Sequence, residues 1–293
     1  MIQPEFLRDL WSRHADALAA ELKPITLSSS ALTFEDRAYQ MGVINLSPDS
    51  SYRESICLSV EQSLYRARRM IVEGASLIDV GAESTGAVAR RVEAAEQQSM
   101  LMPVLDTLVQ DSIPVSVETY HQDTAEAVLD RGAAVINLTG RPADSAFYRA
   151  IAKKDAGVII CYTAGKDARE DVDLPSRDEL VAAQLQYFRD QLDLALSAGV
   201  HAIWLDPGFG FYNRLPDGPA RVRYQIESTL QAFRFRVLGW PVCVTLASPV
   251  AMFREEVRSA ETCFATLAIL AKANLLRSHE VARVQPVIES LSG

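Results

Sequence analysis

The chain has 293 residues, 48% apolar and 23% charged, with mean hydropathy +0.03, which is the composition of an ordinary soluble globular protein. The formal charge of -9 and pI near 5.1 argue against a nucleic-acid partner, because polyanion binding needs clustered Lys and Arg. Cys57, Cys161, Cys243 and Cys263 are too widely spaced for a zinc site and too few for a disulfide framework.

From the N-terminus, MIQPEFLRDLWSRHADALAAELK is amphipathic and carries acidic residues throughout, so it is not a signal peptide. Residues 1–40 read as a helix and an extended lead-in, followed by one domain over 41–293. Eight short apolar runs then alternate with longer amphipathic segments. They are 41–46, 76–80, 114–118, 134–138, 157–161, 202–206, 241–246 and 273–277. Continuous apolar runs of this kind suit parallel strands buried on both faces.

The intervening segments carry helix punctuation. Ser59 and Gln62 have capping-box spacing, Val60, Leu64, Ala67 and Ile71 form one face, and Gly74 ends the helix. Ser176 and Glu179 open a second helix, with Val181, Leu185, Phe188 and Leu192 as its stripe and Gly199 as its stop. Arg66, Arg68 and Arg69, beside Glu61 and Glu73, read as a solvated helix face. The pattern predicts an α/β protein, a (β/α)8 TIM barrel with an N-terminal helical extension. A doubly wound open sheet is the competing fold, weakened because no GxGxxG follows the first strand. No apolar run approaches the roughly 20 residues that cross a bilayer, so a cytoplasmic protein with no membrane partner is expected.

Barrel enzymes carry their sites at the C-terminal strand ends. Here these ends hold Asn45, Ser47 and Asp49, then Glu83, Ser84 and Thr85, then Glu118 and Thr119, and then Asn137. Tyr162 and Thr163 follow the fifth strand, Asp206 with Pro207 to Gly210 the sixth, and Arg277 and His279 the eighth. Ser47, Asp49 and Ser84 serve equally well as partners for nearby backbone groups. Asp206, Asn137 and Glu118 converge from three strands and read as ligand groups. Carboxylates and an amide suit a flat heterocycle with amidine-like N–H groups, since a carboxylate accepts two parallel donors. Arg277 can stack on such a ring or meet an anion. No Ser–His–Asp or Cys–His spacing supports nucleophilic catalysis.

The segments MGVINLSPDS (41–50), GASLIDVGAEST (74–85), VSVETY (115–120), GAAVINLTG (132–140), LDPGFGF (205–211) and RSHEV (277–281) resemble, in order and spacing, the motif series of dihydropteroate synthases. The resemblance implies a transferase of folate biosynthesis that joins the methylene of 6-hydroxymethyl-dihydropterin diphosphate to an arylamine such as p-aminobenzoate, releasing diphosphate. It implies that Asp206, Asn137 and Glu118 hold the pterin edge, with Glu118 where the family has a shorter Asp, and that Phe211 lines the pocket. Asn45 would meet the diphosphate or its Mg²⁺. Arg277 and His279 would hold the anion and flank the ring, while Ser84, Thr85, Tyr162 and Thr163 are candidate substrate or loop residues at the strand ends. A homodimer through the later helices is also implied; the apolar stretch 261–276 suits such a contact and equally suits an ordinary barrel helix followed by strand eight.

The chain departs from the pattern in places. Ala247, Ser248 and Pro249 replace the SRK-like segment and its lysine, and Gly86 stands where an arginine is usual. Tyr162 and Thr163 replace a His-Met pair, Tyr212 and Asn213 replace a small residue and lysine, and Ser51 to Ser55 lack the usual FSDGG-like character. Arg53, Arg90 or Arg91 could supply compensating charge, or be plain surface residues. These losses keep two alternatives open: a pterin or folate enzyme of one-carbon-transfer type, and a non-catalytic pterin binder.

Overall fold

The computed structural model describes residues 4–27, 30–34, 37–50, 52–85, 89–168, 170, 177–209, 218–247 and 249–292. Eight parallel strands follow in chain order: β1 (Tyr39–Asn45), β2 (Leu77–Gly81), β3 (Val115–Thr119), β4 (Val135–Leu138), β5 (Gly157–Cys161), β6 (Ile203–Asp206), β7 (Cys243–Thr245) and β8 (Leu275–Ser278). Each pairs with its sequence neighbour, and β8 returns to β1. Between β6 and β7 the ladder narrows to a parallel bridge from Leu205 to Val242, with Leu205 N–H donating to Pro241 at 2.9 Å. That bridge closes the barrel. A helix follows every strand: α1 (Val60–Val72), α2 (Ala94–Gln110), α3 (Gln122–Asp130), α4 (Ala146–Lys153), α5 (Arg177–Ser197), α6 (Pro219–Thr229), α7 (Val257–Leu270) and α8 (Val281–Leu291). All eight expected strands are present, and β1 begins two residues before the expected boundary.

Strand alternation divides the core in two. Ile44, Ile78, Val80, Val117, Ile136, Ile160 and Leu205 point outward into the cluster shared with the helices. Met41, Leu77, Val135, Ile159, Trp204 and Leu275 point inward and fill the lower barrel. Its floor is closed by a small antiparallel ladder, Ile25–Leu27 against Ser30–Leu32. Ile25, Leu27 and Phe34 join the inward cluster, and full burial of Ile25 alone is worth about 1.5–3 kcal/mol. The N-terminal helix Pro4–Arg13 lies elsewhere: its Leu10 packs with Ala17 and Phe233, outside the barrel.

The helix punctuation works with one change. Ser59 Oγ accepts the Gln62 N–H at 3.2 Å, but Gln62 Oε1 reaches past the cap to the Leu58 N–H at 3.0 Å. The buried face of α1 is Ser63, Ala67 and Met70, whereas Val60, Leu64 and Ile71 sit half-buried at its margin. Gly74 and Gly199 take positive φ (110° and 91°) after α1 and α5, where a side chain would be strained. Ser176 lies outside the described residues; Val181, Phe188 and Leu192 on α5 are buried as expected. No helix among the described residues is long and apolar enough to cross a membrane.

Candidate active site

Above the apolar floor the inward positions turn polar. Asp79 on β2, Ser116 and Glu118 on β3, Asn137 on β4, Asp206 on β6, Thr245 on β7 and Arg277 on β8 share the upper barrel. Asp79 is fully buried and organises them. It accepts from Ser116 Oγ at 2.7 Å, Asn137 Nδ2 at 3.0 Å and Arg277 Nε at 2.7 Å. A terminal nitrogen of Arg277 donates to Glu118 Oε2 at 2.6 Å. Asn137 Oδ1 accepts the Cys161 thiol at 3.1 Å, so the amide is held from both ends.

Asp206 ends β6, where Oδ1 accepts the Gly208 N–H (2.8 Å) and Oδ2 the Thr245 hydroxyl (3.2 Å). Burial raises its pKa to about 6, although Gly208, Arg277 and Thr245 pull the other way. Burial likewise raises Glu118 to about 7 despite the Arg277 guanidinium, with Asp79 and Asp206 adding like-charge repulsion. Three carboxyl groups therefore face one guanidinium in a desolvated chamber. Such a chamber favours a ligand that brings N–H donors or positive charge. Each carboxylate oxygen has two lone pairs, so capacity remains for incoming donors.

Arg277 is expected to stack on a ring or meet an anion; here its Nε and one terminal nitrogen donate to Asp79 and Glu118, and its pKa is raised. Asn45 meets its own loop instead: Nδ2 donates to Ser50 Oγ (3.0 Å) and Ser55 Oγ (2.6 Å). This arrangement places its amide oxygen on the side opposite the hydroxyl groups. His279 stacks on Tyr52 (centroids 4.4 Å, 19°), and its Nδ1 lies 2.7 Å from Glu261 Oε1. Tyr52 in turn donates to Glu280 Oε1 at 2.7 Å, tying the loop after β1 to the end of β8.

The remaining predicted residues lie in the loops that follow the strands. Glu83 accepts from the Val92 N–H, Gln97 and the Tyr120 hydroxyl, so it organises the loop after β2. Thr85 lines a small pocket with Glu118, Thr119, Tyr120 and Thr139, and Ser84 precedes it half-buried. Tyr162 packs edge-on against Tyr187, and buried Thr163 donates to the Gly165 carbonyl at 3.1 Å. Ser47 accepts the Asp49 N–H, and Asp49 accepts the Arg90 N–H, so both serve the backbone. Phe211, Tyr212, Asn213, Gly86, Ser51 and Ser248 lie outside the described residues.

Of the candidate compensating cations, Arg90 pairs with Glu96, Arg91 with Asp167, and Arg53 is exposed. In the basic run of α1, Arg68 and Arg69 pair with Asp111 and Glu73 at the surface. Arg66 departs from the solvated-face reading: it donates to the carbonyls of Val43, Glu54 and His279. Sequence reasoning missed Asp79, Ser116, Tyr52 and Glu261. Asp79 carried a usable signal, since a carboxylate inside an apolar run is costly unless partnered.

The model of the family described as pterin binding enzyme matches residues 41–291. A dihydropteroate synthase of Streptococcus pyogenes is 28% identical over 270 residues, covering 88% of this chain and 96% of that protein. The dihydropteroate synthase of Bacillus subtilis is 27% identical over 267 residues, covering 87% and 88%. A crystal structure of dihydropteroate synthase from Thermus thermophilus in complex with 4-aminobenzoate matches with TM-score 0.74 and 28% identity, over 92% of this chain and 98% of that one. The family match begins within β1, takes in all the other strands and ends with α8; the chain belongs to the pterin-binding enzyme family.

Proposed function

We propose that the protein is a dihydropteroate-synthase-like transferase whose upper barrel holds the amino-pyrimidinone edge of a dihydropterin. The observation that carries this reading is the excess of carboxyl groups over guanidinium in the nearly closed upper barrel: buried Asp79 and Asp206, and mostly buried Glu118, around Arg277. Asp206 and Asn137 meet the ring edge, and Glu118, one methylene longer than the family's Asp, meets it or stays with Arg277. The amine nitrogen of an arylamine attacks the pterin methylene. The C–O bond to diphosphate breaks, its electron pair leaves with diphosphate, and the amine loses a proton to solvent. Positioning and neutralising the leaving charge are the protein's contributions.

Mg²⁺ fits this site modestly. Among the described residues no group of three or more His, Cys, Asp or Glu is arranged to hold a metal. The Asn45 amide oxygen is the protein group that would hold the ion, the other positions falling to diphosphate and water as Mg²⁺ prefers, and the ion would neutralise departing charge. A homodimer in the cytoplasm completes the proposal, with half-exposed Leu270 on α7 and Leu291 on α8 available for subunit contact.

Titrating 6-hydroxymethylpterin against the wild type and Asp206→Asn tests the pocket. Replacing a two-oxygen acceptor by an amide lowers affinity about tenfold or more. Equal affinity in both proteins would remove Asp206 from the ring edge and overturn the reading.

A further inference from the structure

His279 leaves β8 with a ring that is nearly buried, at 11% exposure, and one of its contacts comes from outside the barrel. Glu261 lies on α7 with a side chain that is 0% exposed. Its carboxylate faces His279 Nδ1 at 2.7 Å, and it accepts the Ser278 hydroxyl at 2.7 Å. The backbone N–H groups of His279 (3.0 Å) and Glu280 (3.1 Å) donate to it as well. A carboxylate so far from water is costly unless charge and hydrogen bonds compensate it. Burial pushes its pKa up, but the adjacent His279 ring and these donors outweigh burial and hold it below the usual glutamate range. The other charged groups nearby are engaged elsewhere. Arg66 holds the His279 carbonyl, Tyr52 lies flat on the ring with its hydroxyl on Glu280, and Glu280 pairs with Arg258 and Arg283.

We propose that Glu261 is a positioning residue that fixes His279 with Nδ1–H toward α7, leaves Nε2 for the ligand, and acts as counter-ion to an imidazolium on the anion side of the barrel mouth. The proposal rests on the pterin diphosphate reading above. It explains how anion binding survives in a mouth where Arg277 donates to two carboxylates and Pro249 stands where the family has its lysine. A carboxylate that orients one imidazole nitrogen so that the other serves a ligand is a general device. Tyr52 adds a second restraint, since its ring face favours a cation.

The test uses two ligands that separate charge from packing: inorganic diphosphate with Mg²⁺, and 6-hydroxymethylpterin lacking diphosphate. Both are titrated calorimetrically into the wild type, Glu261→Gln and Glu261→Asp. Glu261→Gln keeps shape and an acceptor but removes the charge, so diphosphate affinity falls about tenfold or more while pterin affinity is unchanged. Glu261→Asp restores most of the diphosphate affinity. Undiminished diphosphate binding in Glu261→Gln overturns the proposal. So does a parallel loss of both ligands in both variants, which indicates packing alone. If Glu261→Gln folds poorly, His279→Gln is read in the same two titrations, and unchanged diphosphate affinity there also overturns it. A wild type that binds no pterin instead sinks the functional reading itself, a distinguishable result.

Discussion

Replacing Arg277 by Met removes the one guanidinium that bridges Asp79 (2.7 Å) and Glu118 (2.6 Å) while roughly keeping its apolar length. Removing one partner from a buried pair costs about 3–5 kcal/mol, because the remaining charge stays buried. At roughly 2–4 °C per kcal/mol for a large domain, the melting temperature drops on the order of 10 °C. The loss depends on pH, and its sign follows from Glu118. Its folded pKa, about 7, lies above its ordinary value of 4.5. The folded state therefore holds this proton more tightly than the unfolded state, so the associated stability is present below about pH 4.5 and disappears as pH rises through about 7. Without Arg277 the folded pKa moves higher still. The deficit of the variant is then smaller near pH 5, where Glu118 is protonated and only the Asp79 contact is lost, and full near pH 8. Urea unfolding of both proteins at these two pH values measures it. An equal deficit at both, or one under about 1 kcal/mol at pH 8, refutes the reasoning.

Other consequences concern separate parts of the barrel. Pterin affinity should fall as pH drops through about 6, because protonated Asp206 loses acceptor capacity; a pH series of pterin titrations checks this, and Asp206→Asn should flatten that step. Ile25→Ala opens the fully buried floor and should cost about 2–5 kcal/mol in urea unfolding with no change in pterin affinity. In Gly140→Ala the new methyl would stand 2.7 Å from Tyr120 Cβ, pushing Tyr120 from Glu83; a destabilisation of about 1–3 kcal/mol is expected by thermal unfolding. Tyr52→Phe removes the donor to Glu280 and should cost about 1 kcal/mol, since Arg258 and Arg283 still satisfy that carboxylate.

The barrel was legible because its signals are local. Apolar runs at 157–161 and 202–206 became β5 and β6, and Ser59 caps α1 as its spacing to Gln62 suggests. The strand-end crown was legible for the same reason, and Asp206, Asn137 and Glu118 do converge. What stayed hidden depends on partners distant in sequence. Asp79 lies inside the SLIDV run rather than at its end, and only the β2–β3 register, with Asp79 opposite Ser116, turns it into the centre of the network. Arg277 reads as an anion or stacking group until the barrel closes and sets it beside Asp79, 198 residues away in the sequence. Glu261 sits on a helix of ordinary amphipathic pattern, where nothing local announces a His partner 18 residues ahead. The segment that plugs the barrel was hidden for a similar reason. The N-terminal helix carries the stronger pattern, yet the weaker strand Ile25–Leu27 closes the floor.

The most direct test of the central claim is a product assay. The purified protein is incubated with 6-hydroxymethyl-dihydropterin diphosphate, p-aminobenzoate and Mg²⁺, and dihydropteroate is sought by mass spectrometry beside an Asp206→Ala control. The account predicts product from the wild type and none from the control. A wild type that binds the pterin but forms no dihydropteroate contradicts the synthase-like assignment and turns the same pocket over to a different pterin reaction.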